Sequence, residues 1–128
     1  MKYKRGITFG AFDPVHIGHI NLFRNAKAQC DTLIVCVSTA DYIRNHKGRF
    51  ERFPFVSRLS AVGAIKYVDV VDMQSPHFGK AEAIAKHQAD VIFVGSDWTS
   101  QTFTGEGLGI PVIYLPRTEG ISSTQLAA

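Results

Sequence analysis

Two histidines placed three residues apart, His16 and His19, are the side chains of this sequence with the clearest capacity for chemistry. They follow a short apolar stretch and a glycine-containing turn, and the apolar spacing after them predicts a helix that begins at the pair. Residues three apart share one face of a helix, and the free N–H groups at a helix N-terminus attract anions. The pattern therefore predicts a site where both imidazoles hold the phosphates of a nucleotide.

A second anion site is predicted near the end of the sequence. Ser122 and Gln125 have the spacing of a capping box, which predicts that a helix starts there. The hydroxyls of residues 122–124 lie at that helix start. Arg117 adds a planar guanidinium that can pair bidentately with phosphate oxygens. Two helix N-termini that face one crevice suit a triphosphate better than a single phosphate.

The elements that must position these groups alternate between strand and helix. Helical spacing of apolar residues predicts helices after residue 16, over residues 55–65, around residues 81–85 and from Ser122, and residues 41–54 are predicted to be basic and irregular. Apolar runs predict five strands, at Gly6–Phe9, Thr32–Ser38, Val68–Val71, Asp90–Val94 and Pro111–Leu115. This order predicts an α/β fold, a Rossmann-like, doubly wound, parallel five-stranded sheet with helices on both faces. Ligands of such folds bind beyond the carboxyl ends of the strands, where the polar clusters fall.

Length and composition narrow the function classes. The 128 residues predict a single domain, and a net charge of +3 without a run of Lys and Arg argues against nucleic acid as a partner. Cys30 and Cys36 are expected to be reduced core residues, as is typical of a cytoplasmic protein. Neither a signal peptide nor an apolar run of the ~20 residues that a membrane span needs is expected here. His16 and His19 lack a nearby third ligand, which disfavours a zinc site.

The two polar segments together resemble the two signatures of the cytidylyltransferase family. His16-x-Gly18-His19 resembles the first, which adenylyltransferases share, and residues 117–124 resemble the second, which is more specific for enzymes that use CTP. The closest likeness is to the small bacterial glycerol-3-phosphate cytidylyltransferases, and it extends through residues 66–69, 95–98 and 114–116.

The resemblance implies a nucleotidyltransferase that joins CTP to a small phosphorylated alcohol, most simply glycerol 3-phosphate, and releases pyrophosphate. Mg²⁺ on the triphosphate and a homodimer are also expected. The residues expected to stabilise the transferring phosphates are His16, His19, Lys47 and Arg117. Contacts to the nucleotide are expected from Thr8, Phe9, Gly10, Ala11, Phe12, Asp13, Gly18, Gly95, Asp97, Trp98, Arg117, Thr118, Gly120, Ile121, Ser122 and Ser123. Contacts to the acceptor are expected from Lys47, Arg49, Arg58 and Lys66.

Departures from the family pattern leave the acceptor open. Pro14-Val15 before the first histidine is typical of adenylyltransferases, and Lys66 stands where the glycerol-3-phosphate enzymes usually have arginine. The alternatives are therefore an adenylyltransferase that uses ATP, a cytidylyltransferase for phosphocholine or phosphoethanolamine, and a nucleotide-binding module without turnover. Asp13 is interpreted as a structural residue, or as one that orients the ribose and the metal ion, and not as a base. A plain surface position remains open for Arg49 and Arg58.

Overall fold

A parallel five-stranded sheet forms the centre of the computed structural model, which describes residues 2–95 and 108–116. The strands are β1 (Tyr3–Gly10), β2 (Cys30–Ser38), β3 (Val70–Gln74), β4 (Val91–Gly95) and β5 (Val112–Leu115). Their order across the sheet is β3-β2-β1-β4-β5, and each neighbouring pair is parallel. The order reverses beside β1, so the carboxyl ends of β1 and β4 flank the point where such sheets bind ligands.

Helices cover both faces of this sheet: α1 (Ile17–Lys27), α2 (Ala40–Lys47), α3 (Phe55–Gly63) and α4 (Lys80–His87). Side chains alternate along the buried strand β2 and divide the core in two. Val35 and Val37 pack in one apolar cluster with Phe23 of α1 and Val62 of α3. Ile34 and Cys36 pack in the other, with Ala83 of α4. Because apolar residues are buried on both faces of the strands, a layer of helices must cover each side of the sheet. The structure has this arrangement, and the predicted fold class is confirmed.

The five strands differ from their predicted bounds by one to three residues at one or both ends, and β1 and β3 differ most; β3 ends at Gln74 and not at Val71. β1 begins at Tyr3 and not at Gly6, because Tyr3 and Arg5 pair in register with Cys30 and Thr32 of β2. β3 begins at Val70 and not at Val68, whose amide instead donates to the Ile65 carbonyl in the turn after α3. Backbone hydrogen bonds between neighbouring strands set where β1 and β3 begin. The hydrophobicity of the side chains predicts this pairing poorly.

The basic stretch 41–54 was predicted to be irregular, and this is wrong for its first half. Helix α2 occupies Ala40–Lys47, with Thr39 as its N-cap accepting a hydrogen bond from the Tyr42 amide at 3.2 Å. The helix ends at Gly48, which adopts the left-handed conformation at φ 66°. Ile43 is the buried residue of this helix, so the sequence of α2 shows little helical spacing of apolar residues. The capping threonine and the terminal glycine are the signals that could have predicted it.

Two further predictions concern the membrane and the cysteines. Across the described residues, no helix is both long enough and apolar enough to cross a membrane. Cys30 and Cys36 are free and buried, as predicted. The helix predicted from Ser122 lies outside the described residues.

Candidate active site

The two histidines form a capping box at the start of α1. His16 is the N-cap, and its Nδ1 accepts a hydrogen bond from the Gly18 amide at 3.0 Å. Nδ1 of His19 accepts in turn from the His16 amide at 3.1 Å. The rings stack with their centroids 3.8 Å apart. The pair therefore does for this helix what serine and glutamate do in an ordinary capping box.

This arrangement fixes the chemistry of both imidazoles. A neutral imidazole carries one proton, and since Nδ1 accepts in each ring, the proton lies on Nε2. Burial lowers the pKa of His16. Burial, and to a lesser degree the neighbouring His16, lower the pKa of His19 to about 3. Near neutral pH both rings are neutral Nε2–H donors beside the free amides of a helix N-terminus, which suits the binding of phosphate oxygens.

The segment before the histidines, residues 8–13, forms the end of β1 and the loop that follows. Phe12 has a positive φ of 49°, and its ring contacts His19 edge-on at 4.9 Å. The same ring passes so close to Gly10 that a Cβ there would lie 2.7 Å from it. Glycine at position 10 therefore lets Phe12 support the histidine. Thr8 is buried. The structure thus places Thr8, Phe9, Gly10, Ala11, Phe12, Asp13 and Gly18 at the carboxyl end of β1 and the start of α1.

Asp13 ties this loop to the segment after α2. Its fully buried carboxylate accepts hydrogen bonds from the amides of Arg52 and Phe53, at 2.7 and 2.8 Å, and from Nη1 of Arg49 at 3.0 Å. Burial alone raises the pKa of Asp13, but these hydrogen bonds outweigh it and lower the pKa below its ordinary value. An ionised carboxylate that accepts this many hydrogen bonds has a structural role and is a poor base.

Two of the four residues that were expected to contact the acceptor, Arg58 and Lys66, do not face the cavity at the carboxyl edge of the sheet. Arg58 is buried, and its guanidinium donates to the carbonyls of Phe53, Ala11 and Ser38. Lys66 is exposed and lies between α3 and β3, at the amino edge of the sheet opposite to the histidines. We correct both expectations. Arg58 braces the loops around the site through these three hydrogen bonds, while its Nη2 has no partner among the described residues. Lys66 lies at the edge of the sheet opposite to the histidines.

Lys47 and Lys80 face a cavity of about 630 Å³ at the carboxyl edge of the sheet, beside Phe9 and Gly10 of β1. Lys47 is the last residue of α2, and Lys80 is the first residue of α4. The Nζ atom of Lys80 lies 3.4 Å from the Tyr42 hydroxyl and 5.3 Å from the centre of the Phe9 ring. Burial lowers the pKa of both lysines. The charge of Arg49 adds to this effect at Lys47, and the charge of Lys47 adds to it at Lys80.

The sequence reasoning missed Lys80. A lysine in the first helical turn is unfavourable, since the helix dipole places partial positive charge there. Gly79, which directly precedes the helix, and that unfavourable charge were the available signals. The structure thus brings Lys47, Arg49 and Lys80 to the same edge of the sheet as the histidines.

The remaining predicted contacts divide into two groups. Gly95 ends β4 at the carboxyl edge and pairs with Leu115 of β5. The others lie outside the described residues, and their roles stay predictions: Asp97, Trp98, Arg117, Thr118, Gly120, Ile121, Ser122 and Ser123.

The comparison with protein families matches residues 7–128 to the cytidylyltransferase-like family model. The chain belongs to this family. It is 37% identical to the glycerol-3-phosphate cytidylyltransferase of Staphylococcus aureus over 124 residues, which cover 96% of this chain and 92% of that protein. It is 35% identical to the FAD synthase of Pyrococcus abyssi over 118 residues, which cover 88% and 80% of the two chains. The family predicted from the two signatures is confirmed.

The solved structures agree with this family membership. A lipopolysaccharide core biosynthesis protein from Thermoplasma volcanium superposes with a TM-score of 0.72 and 27% identity, over 90% of this chain and 96% of that chain. The parallel sheet that superposes in this comparison carries the histidines and lysines described here at its carboxyl edge.

Proposed function

We propose that this chain catalyses transfer of the cytidylyl group from CTP to glycerol 3-phosphate, which gives a CDP-alcohol and pyrophosphate. The observation that carries the proposal is the pair of neutral Nε2–H donors at the start of α1, on the same sheet edge as Lys47 and Lys80. Family membership and the glycerol-3-phosphate cytidylyltransferase relative support it.

The reaction needs charge stabilisation and positioning more than proton transfer. A phosphate monoester is already anionic and nucleophilic near neutral pH. One of its oxygens attacks the α-phosphorus of CTP in line, the new P–O bond forms, and the bond from the α-phosphorus to the bridging oxygen breaks as pyrophosphate leaves. Negative charge grows on the α-phosphate oxygens and on the leaving group. His16 and His19 are suited to donate hydrogen bonds to that growing charge without changing their own protonation.

The lysines have a separate task in this proposal. The acceptor phosphate and the triphosphate repel each other, and two ammonium groups between them reduce that repulsion. Lys47 and Lys80 face one cavity from two different helices. We assign the acceptor phosphate to this pair, with Arg49 adding positive charge while it remains paired with Asp13. Arg117 and the residues around Ser122 are kept, from the resemblance, as the predicted triphosphate clamp.

Magnesium enters as a partner of the triphosphate. Residues 2–95 and 108–116 hold no group of three His, Cys, Asp or Glu side chains that could bind a metal ion. The oxygens of Asp13 accept from protein donors and are poorly placed to become ligands. We therefore propose Mg²⁺ as a partner of the nucleotide's own phosphate oxygens, where it would supply positive charge.

Pyrophosphate release tests the proposal. CTP and ATP, each with Mg²⁺, are compared with glycerol 3-phosphate, phosphocholine and phosphoethanolamine as acceptors. We expect the highest kcat/KM with CTP and glycerol 3-phosphate, and an increase of the melting temperature with CTP larger than that with ATP. Higher kcat/KM with ATP for every acceptor would establish the adenylyltransferase alternative, which the FAD synthase relative represents. Nucleotide binding without pyrophosphate release would establish the binding-module alternative.

A homodimer and a cytoplasmic location complete the proposal. Exposed apolar side chains near the site, Phe50, Phe53 and Val56, are the surface that supports association of two copies. Light scattering after size exclusion gives the mass directly, and a monomer at micromolar concentration would contradict the dimer. The free, buried Cys30 and Cys36 agree with a reducing compartment.

A further inference from the structure

The carboxyl ends of β2 and β3 place two neutral polar side chains next to each other. Ser38 and Gln74 are the last residues of these strands and are register partners. The backbone around them is fixed, because the Thr39 amide donates to the Gln74 carbonyl and Arg58 donates to the Ser38 carbonyl. Both residues therefore sit at a rigid point of the sheet edge.

Strand alternation tells which face these two side chains occupy. In β2, Ile34 and Cys36 belong to the core cluster beneath α4, so Ser38 points to the same face. In β3, Asp72 contacts His87 of α4 on that face, and Gln74 follows it by two residues. The cavity that Lys47 and Lys80 face lies on this side, and both Ser38 and Gln74 line it.

These side chains are nearly inaccessible to solvent and incompletely hydrogen-bonded. Ser38 is 1% exposed and Gln74 is 2% exposed. Within the described part of the chain, the Ser38 hydroxyl and the Gln74 carboxamide nitrogen have no hydrogen-bond partner. Buried polar groups are almost always paired, because an unpaired one lowers the stability of the folded state. Two unpaired groups side by side on a cavity wall indicate that a ligand completes them.

We propose that Ser38 and Gln74 determine acceptor specificity by hydrogen bonding to the free hydroxyls of a phosphorylated polyol. This inference rests on the function proposed above and adds the groups that distinguish one acceptor from another. Hydroxyl and carboxamide are neutral groups that both donate and accept, which matches an alcohol hydroxyl. Lys47 and Lys80 take the phosphate at the same cavity.

The charges around the cavity disfavour an acceptor that carries an ammonium group. Two lysines face the cavity, and both would repel such a group. The Glu82 carboxylate also lines it, but Oε1 of Glu82 accepts a hydrogen bond from the Gly79 amide at 3.0 Å. Phosphocholine and phosphoethanolamine therefore fit this cavity less well than a polyol phosphate.

The experiment compares two acceptors that share a phosphate and differ in their hydroxyls. Glycerol 3-phosphate and n-propyl phosphate are tested with CTP against the wild type, Ser38→Ala and Gln74→Met. We expect each substitution to lower kcat/KM for glycerol 3-phosphate by about 10- to 100-fold and to leave n-propyl phosphate within about twofold. The melting temperature should stay or rise, since each substitution removes an unpaired buried polar group. Ser57→Ala, at an exposed position of α3, is the matched control.

A third variant tests the sense of the selectivity. Gln74→Glu keeps the shape of the side chain and adds a negative charge, so it should raise kcat/KM for phosphoethanolamine relative to glycerol 3-phosphate. An unchanged ratio in this variant would count against the proposal, and it is measurable even where Gln74→Met folds poorly.

The possible failures are distinguishable. If the wild type releases no pyrophosphate with CTP and any acceptor, the proposed reaction is wrong and this inference falls with it. If the wild type turns over glycerol 3-phosphate but Ser38→Ala and Gln74→Met slow both acceptors equally, the transfer reaction stands and the specificity role is overturned. A wild type that prefers phosphoethanolamine also overturns it.

Discussion

The histidine pair and the lysine-lined cavity are built in opposite ways. His16 and His19 are neighbours in sequence, and their Nδ1 atoms are satisfied within one turn of backbone. The cavity is assembled from three strands and two helices, and it leaves the Ser38 hydroxyl and the Gln74 carboxamide nitrogen without hydrogen-bond partners among the described residues. A region whose polar atoms are held by protein hydrogen bonds is preorganised to stabilise the negative charge that the transition state develops with any substrate. A region with unpaired polar atoms can discriminate between ligands, because only some ligands supply the missing hydrogen bonds.

The largest effect is expected at the histidines, and it can be separated from their capping role. In His16→Asn the side-chain oxygen can take the place of Nδ1 as the capping acceptor, while the distal N–H donor is lost. We expect kcat to fall by about 10²–10³ with little change in melting temperature. His16→Gln reaches the position of Nε2 but loses the cap, so it should keep more activity and melt lower. Steady-state kinetics and thermal unfolding of both variants check this. Near-normal turnover in His16→Asn would contradict the assignment.

Lysine substitutions test the cavity, with a smaller expected effect. Lys47→Ala and Lys80→Ala each remove a charged donor from the proposed acceptor phosphate. We expect KM for the acceptor to rise by about 10- to 100-fold, the equivalent of one charge-assisted hydrogen bond. Lys66→Ala removes a lysine from the opposite edge of the sheet and is the matched control. Equal effects at positions 66 and 80 would show that net charge matters and the cavity does not.

The smallest effect is expected in the free energy of unfolding at acid pH, which tests the surroundings of His19. His19 is neutral in the folded protein down to a pKa of about 3, while in the unfolded chain it titrates near 6.5. Between these values the unfolded state binds more protons, so stability is present above pH 6.5 and falls as the pH falls.

Urea unfolding at pH 7.5 and pH 5.0 measures this contribution. The wild type should lose about 1–2 kcal/mol more than His19→Gln over that interval. An equal loss in both proteins would show that His19 is not held neutral by its surroundings.

Parts of the site could be predicted from sequence because their physics is local. The capping geometry of His16 and His19 depends on residues within three positions, and apolar runs with helical spacing between them predicted the order of elements. The limits of β1 and β3 and the helix α2 were harder, since backbone pairing sets those limits and α2 has little apolar period. Lys80 was missed because nothing near it in sequence shows that α4 starts beside the end of β1.

The sequence by itself determined the fold class, the family and the pairing of two histidines at the start of α1, because strand-helix alternation and the spacing of two histidines are short-range patterns. Only the tertiary structure decided which cations belong to the cavity: it placed Lys80 beside Phe9, put Lys66 at the far edge of the sheet and buried Arg58 among three carbonyls. It also brought Ser38 and Gln74 into register across β2 and β3. The reason is that parallel strands pair over long sequence separations, and the register of that pairing sets which side chains share an edge.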